Sequence, residues 1–250
     1  MTDKKEIYEY WNKRMPYGWG PYEDMKKLRY GLHTFLPGYL GLEDCKGKKV
    51  LEIGCGCGVD AVEYAKHGAE MHAVDLTENA VNYTKNLFES LGLEGDIRQV
   101  DATLGLPYED NFFDHVHSMG VIHHSPEPQK IIKEIYRVLK PGGDVCVLLY
   151  NKDSLLYYFS IIYLGGIVKH GFADGLTEKQ LLNKYSEAVD GCPYTDVYTV
   201  ETAHDLFAPY FKDITIAIEM PAVDTMTERK KLFPGVPKNL GWHLMVKAVK

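Results

Sequence analysis

Between Lys49 and Tyr150 short apolar runs alternate with stretches in which apolar residues recur every three or four positions. That is the rhythm of a parallel sheet whose strands are joined by helices. Lys49 to Ile53 predicts a buried strand that runs into a glycine cluster, followed by a helix from Val59 to His67. Glu70 to Asp75 predicts a second strand and Glu78 to Leu91 a second helix, with Thr77 as its N-cap and Gly92 marking its end. Asp96 to Val100 and Phe113 to Met119 read as the third and fourth strands. A helix from Gln129 to Leu139 is then terminated by Pro141-Gly142-Gly143 before a fifth strand, Asp144 to Leu149. After a long interruption, Val200 to Phe207 predicts a helix, Ile214 to Glu219 a sixth strand and Trp242 to Val249 a seventh. The last two are expected to pair antiparallel through a loop containing Pro221, Pro234 and Pro237. The fold class is α/β: an aromatic N-terminal cap over 1–48, a core over 49–150, an insert over 151–199, and a C-terminal helix and strands over 200–250.

The chain has 250 residues, 45% of them hydrophobic, enough for one α/β domain with appendages. Its formal net charge is −7. Basic residues come in pairs such as Lys4-Lys5, Lys26-Lys27 and Lys48-Lys49 and in the short stretch around Arg229 and Lys231. They make no extended phosphate-neutralising surface, so no nucleic-acid partner is expected. Five irregularly spaced cysteines do not suggest the framework of a secreted domain, and the polar start from Met1 to Tyr10 lacks the apolar run of a signal peptide, so export is not expected. A cytoplasmic location is expected.

The candidate chemistry lies at Glu52-Ile53-Gly54-Cys55-Gly56-Cys57-Gly58, an acidic strand end followed by three alternating glycines. Glycines let the backbone turn sharply and approach a nucleotide-like ligand with no Cβ in the way. Asp75 ends the next strand 21 positions after Gly54, where a carboxylate in such folds accepts hydrogen bonds from ribose hydroxyls. A dinucleotide fingerprint, G-x-G-x-x-G, needs its third glycine where Val59 stands; here it comes one residue early, as Gly58. Asp101 adds a third acidic strand end. An ordinary tight turn explains the glycines but not the three carboxylates.

With Val50 to Gly58, Ala73-Val74-Asp75-Leu76, Asp101-Ala102, Phe113-Asp114, Val121-Ile122-His123-His124 and Arg137 to Gly143 in order, the chain resembles the class I methyltransferases dependent on S-adenosylmethionine (SAM), in particular the small-molecule group called methyltransferase type 11. The resemblance covers 49–150. It implies a Rossmann-like, seven-stranded, mostly parallel sheet with helices on both faces, an antiparallel last strand, and SAM as cofactor across the carboxyl ends of the strands. It further implies that the Gly54, Gly56 and Gly58 loop passes under the methionine portion, with Glu52 ordering the loop. Asp75 would hold the ribose, Leu76 pack on adenine, Asp101 and Ala102 recognise its amino edge, and Ser118 or Met119 line the methionine portion. The Asn/Asp-Pro-Pro-Tyr sequence of DNA-amino methyltransferases is replaced by Met119-Gly120-Val121-Ile122-His123-His124.

Methyl transfer from a sulfonium needs mainly in-line alignment, and the expected reaction is direct displacement onto a small-molecule acceptor, without metal or covalent intermediate. Where the acceptor must lose a proton, His123 or His124 is the candidate base, because histidine titrates near neutrality; a purely structural pair explains them equally well. Cys55 and Cys57 with these histidines read as small side chains in a crowded turn rather than as metal ligands. Leu155 to Val168 is apolar nearly all round yet too short for a membrane span. It predicts a lid over the acceptor site, ahead of a subunit interface in a homodimer or a lipid-facing surface, with Gly165-Gly166 and Gly171 as hinges. Trp11, Tyr17-Gly18-Trp19-Gly20, Tyr22 and Arg29-Tyr30 form an arm expected to fold across the cofactor mouth, as a passive cap or a closing lid. An NAD-dependent oxidoreductase, a non-catalytic SAM-binding regulator and a protein methyltransferase remain as alternatives.

Overall fold

Val50, Leu51, Glu52 and Ile53 are all buried, which requires cover on both sides of the strand they form. Strand β1 (Lys49–Ile53) is central in a seven-stranded sheet. The computed structural model describes residues 4–14, 20–187, 191–219 and 237–250. Its helices α1 (Lys4–Arg14), α2 (Tyr22–Leu32) and α3 (Pro37–Leu40) precede β1; α4 (Val59–Lys66), β2 (Glu70–Asp75), α5 (Glu78–Ser90), β3 (Asp96–Gln99), β4 (Phe113–Met119), α6 (Pro128–Val138) and β5 (Leu139–Tyr150) follow it. A π-helix (Leu156–Val168), α7 (Glu178–Tyr185), α8 (Val200–Phe207), β6 (Lys212–Glu219) and β7 (His243–Val249) come after these, and three single 3-10 turns lie at Leu42–Asp44, Ile122–His124 and Lys238–Leu240.

The strand order is β3-β2-β1-β4-β5-β7-β6. Strands β3 to β5 pair in parallel, and β7 runs antiparallel to both of its neighbours, β5 and β6. This is the expected Rossmann-like sheet. On one face Leu51, Ile53 and Val116 pack with Ile131, Ile132 and Ile135 of α6 and with Leu206 and Phe207 of α8. On the other, Val50 and Ala73 pack with Val62 and Tyr64 of α4, Phe88 of α5, and Tyr22 and Met25 of α2.

Two local expectations are corrected. Pro141-Gly142-Gly143 does not separate helix from strand: β5 begins at Leu139, whose backbone (φ −70°, ψ 140°) is already extended. Proline disfavours the helical region for the residue before it, Lys140, so α6 ends early and the strand starts at once. Thr77 does stand at the N-cap of α5, but its hydroxyl makes no cap there and donates instead to Asp75 Oδ1 at 2.8 Å. Real side-chain caps occur at Thr177 and Thr199, each in a capping box.

The segment after β5 contributes to a small separate cluster, with Tyr157 and Ile161 of the π-helix on Leu181 and Leu182 of α7 and on Trp242. A Cβ on Gly165 would come within 2.6 Å of the Tyr185 ring, and one on Gly166 would meet Phe172. The glycines expected as hinges are thus points of close packing. Among the described residues no helix is long and apolar enough to cross a membrane. Tyr17, Gly18, Trp19, Pro221 and Pro234, singled out from the sequence, lie outside the described residues.

Candidate active site

Past the carboxyl end of β1 the chain turns through Gly54 and Gly58 with φ of 80° and 71°, backbone that side-chain-bearing residues rarely adopt. A Cβ on Gly54 would drive into Val121, and one on Gly58 would lie 2.7 Å from Thr84 Cγ2. These two glycines therefore serve close packing of the loop on its own protein. Gly54 N donates to Val74 O at 2.7 Å and Gly56 N to Asp75 Oδ2 at 3.0 Å, tying the turn to β2.

The loop floors a cavity of about 490 Å³ at the carboxyl ends of the strands, where open α/β sheets bind their ligands. Asp75 lines it, its Oδ1 also accepting from Thr77 N at 2.8 Å; burial holds its carboxyl above the usual range against these hydrogen bonds. Leu76, Val100, Ala102 and Ile131 supply apolar wall, and Asp101 is braced by Thr103 N at 2.9 Å. Of the ten positions assigned to the cofactor, Glu52, Gly54, Gly56, Asp75, Leu76, Asp101, Ala102 and Met119 line this cavity. Gly58 and Ser118 stand outside it; Ser118 is buried and donates to Ile53 O at 3.0 Å, bracing the strand end.

Glu52 is buried with Oε2 lacking any hydrogen-bond partner. Burial, then the neighbouring Asp60 charge, pushes its carboxyl well above the usual range. Ligand atoms of Glu52, Asp60 and His117 converge within 4.8 Å. The cation already held there is Arg29, whose Nε donates to Asp60 Oδ1 at 2.8 Å and whose Nη2 pairs with Oδ2. Burial alone would raise Asp60, but the Arg29 guanidinium and the His117 hydrogen bond hold it far below the carboxylate range. Sequence reasoning missed Asp60; an acid in the first turn of α4 reads as an ordinary dipole partner, and only the fold shows it buried against Arg29.

The roof comes from the N-terminal arm: Ile7 and Trp11 of α1 and Met25, Leu28, Arg29 and Leu32 of α2 line the cavity. Tyr30 anchors this arm through a 2.9 Å hydrogen bond to Asp60 Oδ1. The far end is formed by Trp11, His124, Tyr150 and Glu187.

The two histidines part company there. His123 is fully buried, both ring nitrogens lack a partner, and it does not line the cavity; burial pushes it well below its ordinary value. Its ring packs on Tyr150, centroids 3.8 Å apart. His124 lines the cavity, with Nδ1 3.0 Å from Tyr194 O and Nε2 3.5 Å from Glu187 Oε1. Burial works against its charge, yet Cys192 and Glu187 raise it to about 9. Glu187 also accepts from Tyr150 OH at 2.7 Å, and it was not foreseen because nothing local marks it.

Comparison with known proteins fits this geometry. Residues 51–147 match the model of a family described as "Methyltransferase domain". A ubiquinone biosynthesis O-methyltransferase of Coxiella burnetii is 30% identical over 164 residues, 64% of this chain and 68% of its own. One of the same name from Azoarcus sp. is 31% identical over 158 residues, 62% and 65%. Among solved structures, an S-adenosylmethionine-dependent methyltransferase from Mesorhizobium loti superposes with a TM-score of 0.57 at 16% identity, covering 86% of this chain and 97% of its own. The YcgJ protein of Bacillus subtilis gives 0.59 at 17%, covering 87% and 98%. These two bear on the fold alone.

Proposed function

This chain belongs to the class I SAM-dependent methyltransferases, and we propose on that ground that it moves the methyl group of SAM onto a hydroxyl of a small, largely apolar molecule by direct displacement. The observation that carries this reading is one continuous cavity with two chemically different ends. At one end the glycine turn, Asp75, Asp101 and the unpartnered Glu52 oxygen suit a nucleoside carrying an amino acid; at the other, Trp11, His124, Tyr150 and Glu187 surround space for an acceptor. A hydroxyl is favoured because the relatives quoted above are named O-methyltransferases.

SAM, when bound, supplies an electrophilic methyl group on a good leaving group. The protein's own work is then placement. Asp75 binds ribose hydroxyls, Asp101 and Ala102 take the adenine edge beside Leu76, and Glu52 and Arg29 face the charged amino-acid end. Met119 borders the methionine portion. Trp11, Leu28 and Leu32 exclude water and offer an apolar surface for the acceptor body. His124, held as imidazolium, is unsuited to act alone as the base; His123 has no access to the cavity and serves packing. The acidic charge suits a partner other than nucleic acid, and five free cysteines suit the reducing cytoplasm.

The test is calorimetric titration with SAM, S-adenosylhomocysteine and NAD. SAM and its demethylated product are expected to bind, with Asp75→Ala weakening both by about 10-fold to 100-fold, the range for hydrogen bonds to a charged group. Binding of NAD alone would overturn the assignment and revive a dehydrogenase. Methyl transfer from labelled SAM to a panel of phenols, amines and thiols then tests the acceptor class.

A further inference from the structure

We propose that Glu187, positioned by His124 and Tyr150, is the group that takes the proton from the acceptor hydroxyl during methyl transfer. The inference rests on the hydroxyl reading above and adds a residue outside the family match, which ends at 147.

Glu187 follows α7, far in sequence from the cofactor segments, yet it lines the same cavity as Gly54, Met119 and Gly120. Its side chain is 17% exposed, reachable from the cavity but shielded from bulk water. Three elements converge on it: His124 from the turn after β4, Tyr150 from the end of β5, and the N-terminal arm through the charge of Arg14. Facing His124 in turn are Cys192 at 3.6 Å, the Thr195 hydroxyl at 3.3 Å and the neutral ring of His123, centroids 4.3 Å apart.

The orientation of His124 follows from its surroundings. Nδ1 faces the Tyr194 carbonyl, which only accepts, so Nδ1 carries hydrogen and Nε2 is turned to Glu187. Burial would raise Glu187, but His124, Tyr150 and Arg14 hold it below the usual range, so it stands as a carboxylate. A carboxylate of low basicity suffices, because the hydroxyl that donates to it turns strongly acidic as its oxygen bonds the methyl carbon, and the proton crosses within that same transition state. The acceptor oxygen uses a lone pair to bond the methyl carbon while the carbon–sulfur bond breaks with its electrons onto sulfur, converting sulfonium to thioether. As that bond forms the O–H proton passes to Glu187, so no oxygen carrying both methyl and hydrogen accumulates. One positive charge on sulfur and one negative charge on Glu187 disappear together, so the balance closes without a further reactant.

The experiment compares wild type with Glu187→Gln, which keeps shape and loses the charge, on two phenols: unsubstituted phenol, ionising near pH 10 as tyrosine does, and 4-nitrophenol, already largely ionised near neutral pH. Glu187→Gln is expected to lower kcat on phenol by about 100-fold or more and on 4-nitrophenol by less than about fivefold, with SAM affinity by calorimetry unchanged. In the protein without cofactor, NMR titration of the His124 ring is expected near 9 in wild type and clearly lower in Glu187→Gln. Tyr150→Phe serves as a second, milder variant, with the same phenol preference at smaller amplitude. Equal losses on both phenols, or none, overturn the proton role, as does a His124 titration that Glu187→Gln leaves in place. Wild-type protein that binds SAM but methylates neither phenol overturns the hydroxyl reading itself and takes the proton route with it.

Discussion

Glu52 shows how much of the site's chemistry is decided residue by residue. Its position at a strand end before the glycine turn is readable from the sequence; its protonation is not, because that depends on Asp60 and Asp75 brought beside it and on its burial. With its carboxyl raised, Glu52 keeps a proton to higher pH than an ordinary carboxyl does. A ligand ammonium beside it favours the charged form, so SAM binding is expected to release a proton and to tighten as pH rises, until Glu52 ionises unaided. Calorimetry in buffers of different ionisation heat measures that proton directly, and Glu52→Gln should abolish it. Arg29 gives the complementary case. Asp60 has a fully buried side chain and owes its charge to Arg29. Arg29→Ala should cost about 3–5 kcal/mol of stability in denaturant unfolding, the range for stranding one partner of a buried pair.

At the scale of elements, the parallel core was legible because each strand is bounded by its own punctuation: glycines after Ile53, Thr77 after Asp75, Gly120 after Met119. Where expectation and structure differ, a neighbour decided. Thr77 carries N-cap chemistry, but Asp75 competes for the hydroxyl and wins it. The π-helix was legible only as an apolar stretch, since a segment apolar on all sides has no periodicity to give away its winding. Its glycines looked like hinges in sequence and are contact points in space. Gly166→Ala should therefore destabilise the cluster after β5 by about 1–3 kcal/mol through overpacking on Phe172. SAM affinity should stay within about twofold, because no residue of that helix lines the cavity. A loss of SAM binding with stability intact would contradict this division.

For the whole molecule, cofactor and roof are coupled: α1 and α2 share the cavity with β1, β2, and β3's following turn, so binding SAM should stabilise the assembly. At a hundred times its Kd the ligand contributes about 2.7 kcal/mol, which for a chain of this length corresponds to a rise of roughly 5–10 °C in Tm, readable by calorimetric scanning. The acceptor end was the least legible part of the sequence. His124 was visible as a histidine in a familiar stretch, but its distinction from His123 depends on which ring the fold turns into the cavity, and Glu187 comes from a segment with no motif. Long-range placement of this kind leaves no local trace.

The strand order has a consequence for how the chain is made. Strand β7 comes after β6 but fits between β6 and β5. As the polypeptide leaves the ribosome, β6 has no slot to enter and the apolar edge of β5 from Cys146 to Leu149 waits open, an adhesive seam of unpaired amides and carbonyls. Sheet closure is a final snap rather than steady growth. A chain cut short before His243 forfeits both outer strands at once, and the cell meets it as a clumping hazard before it meets it as a missing enzyme.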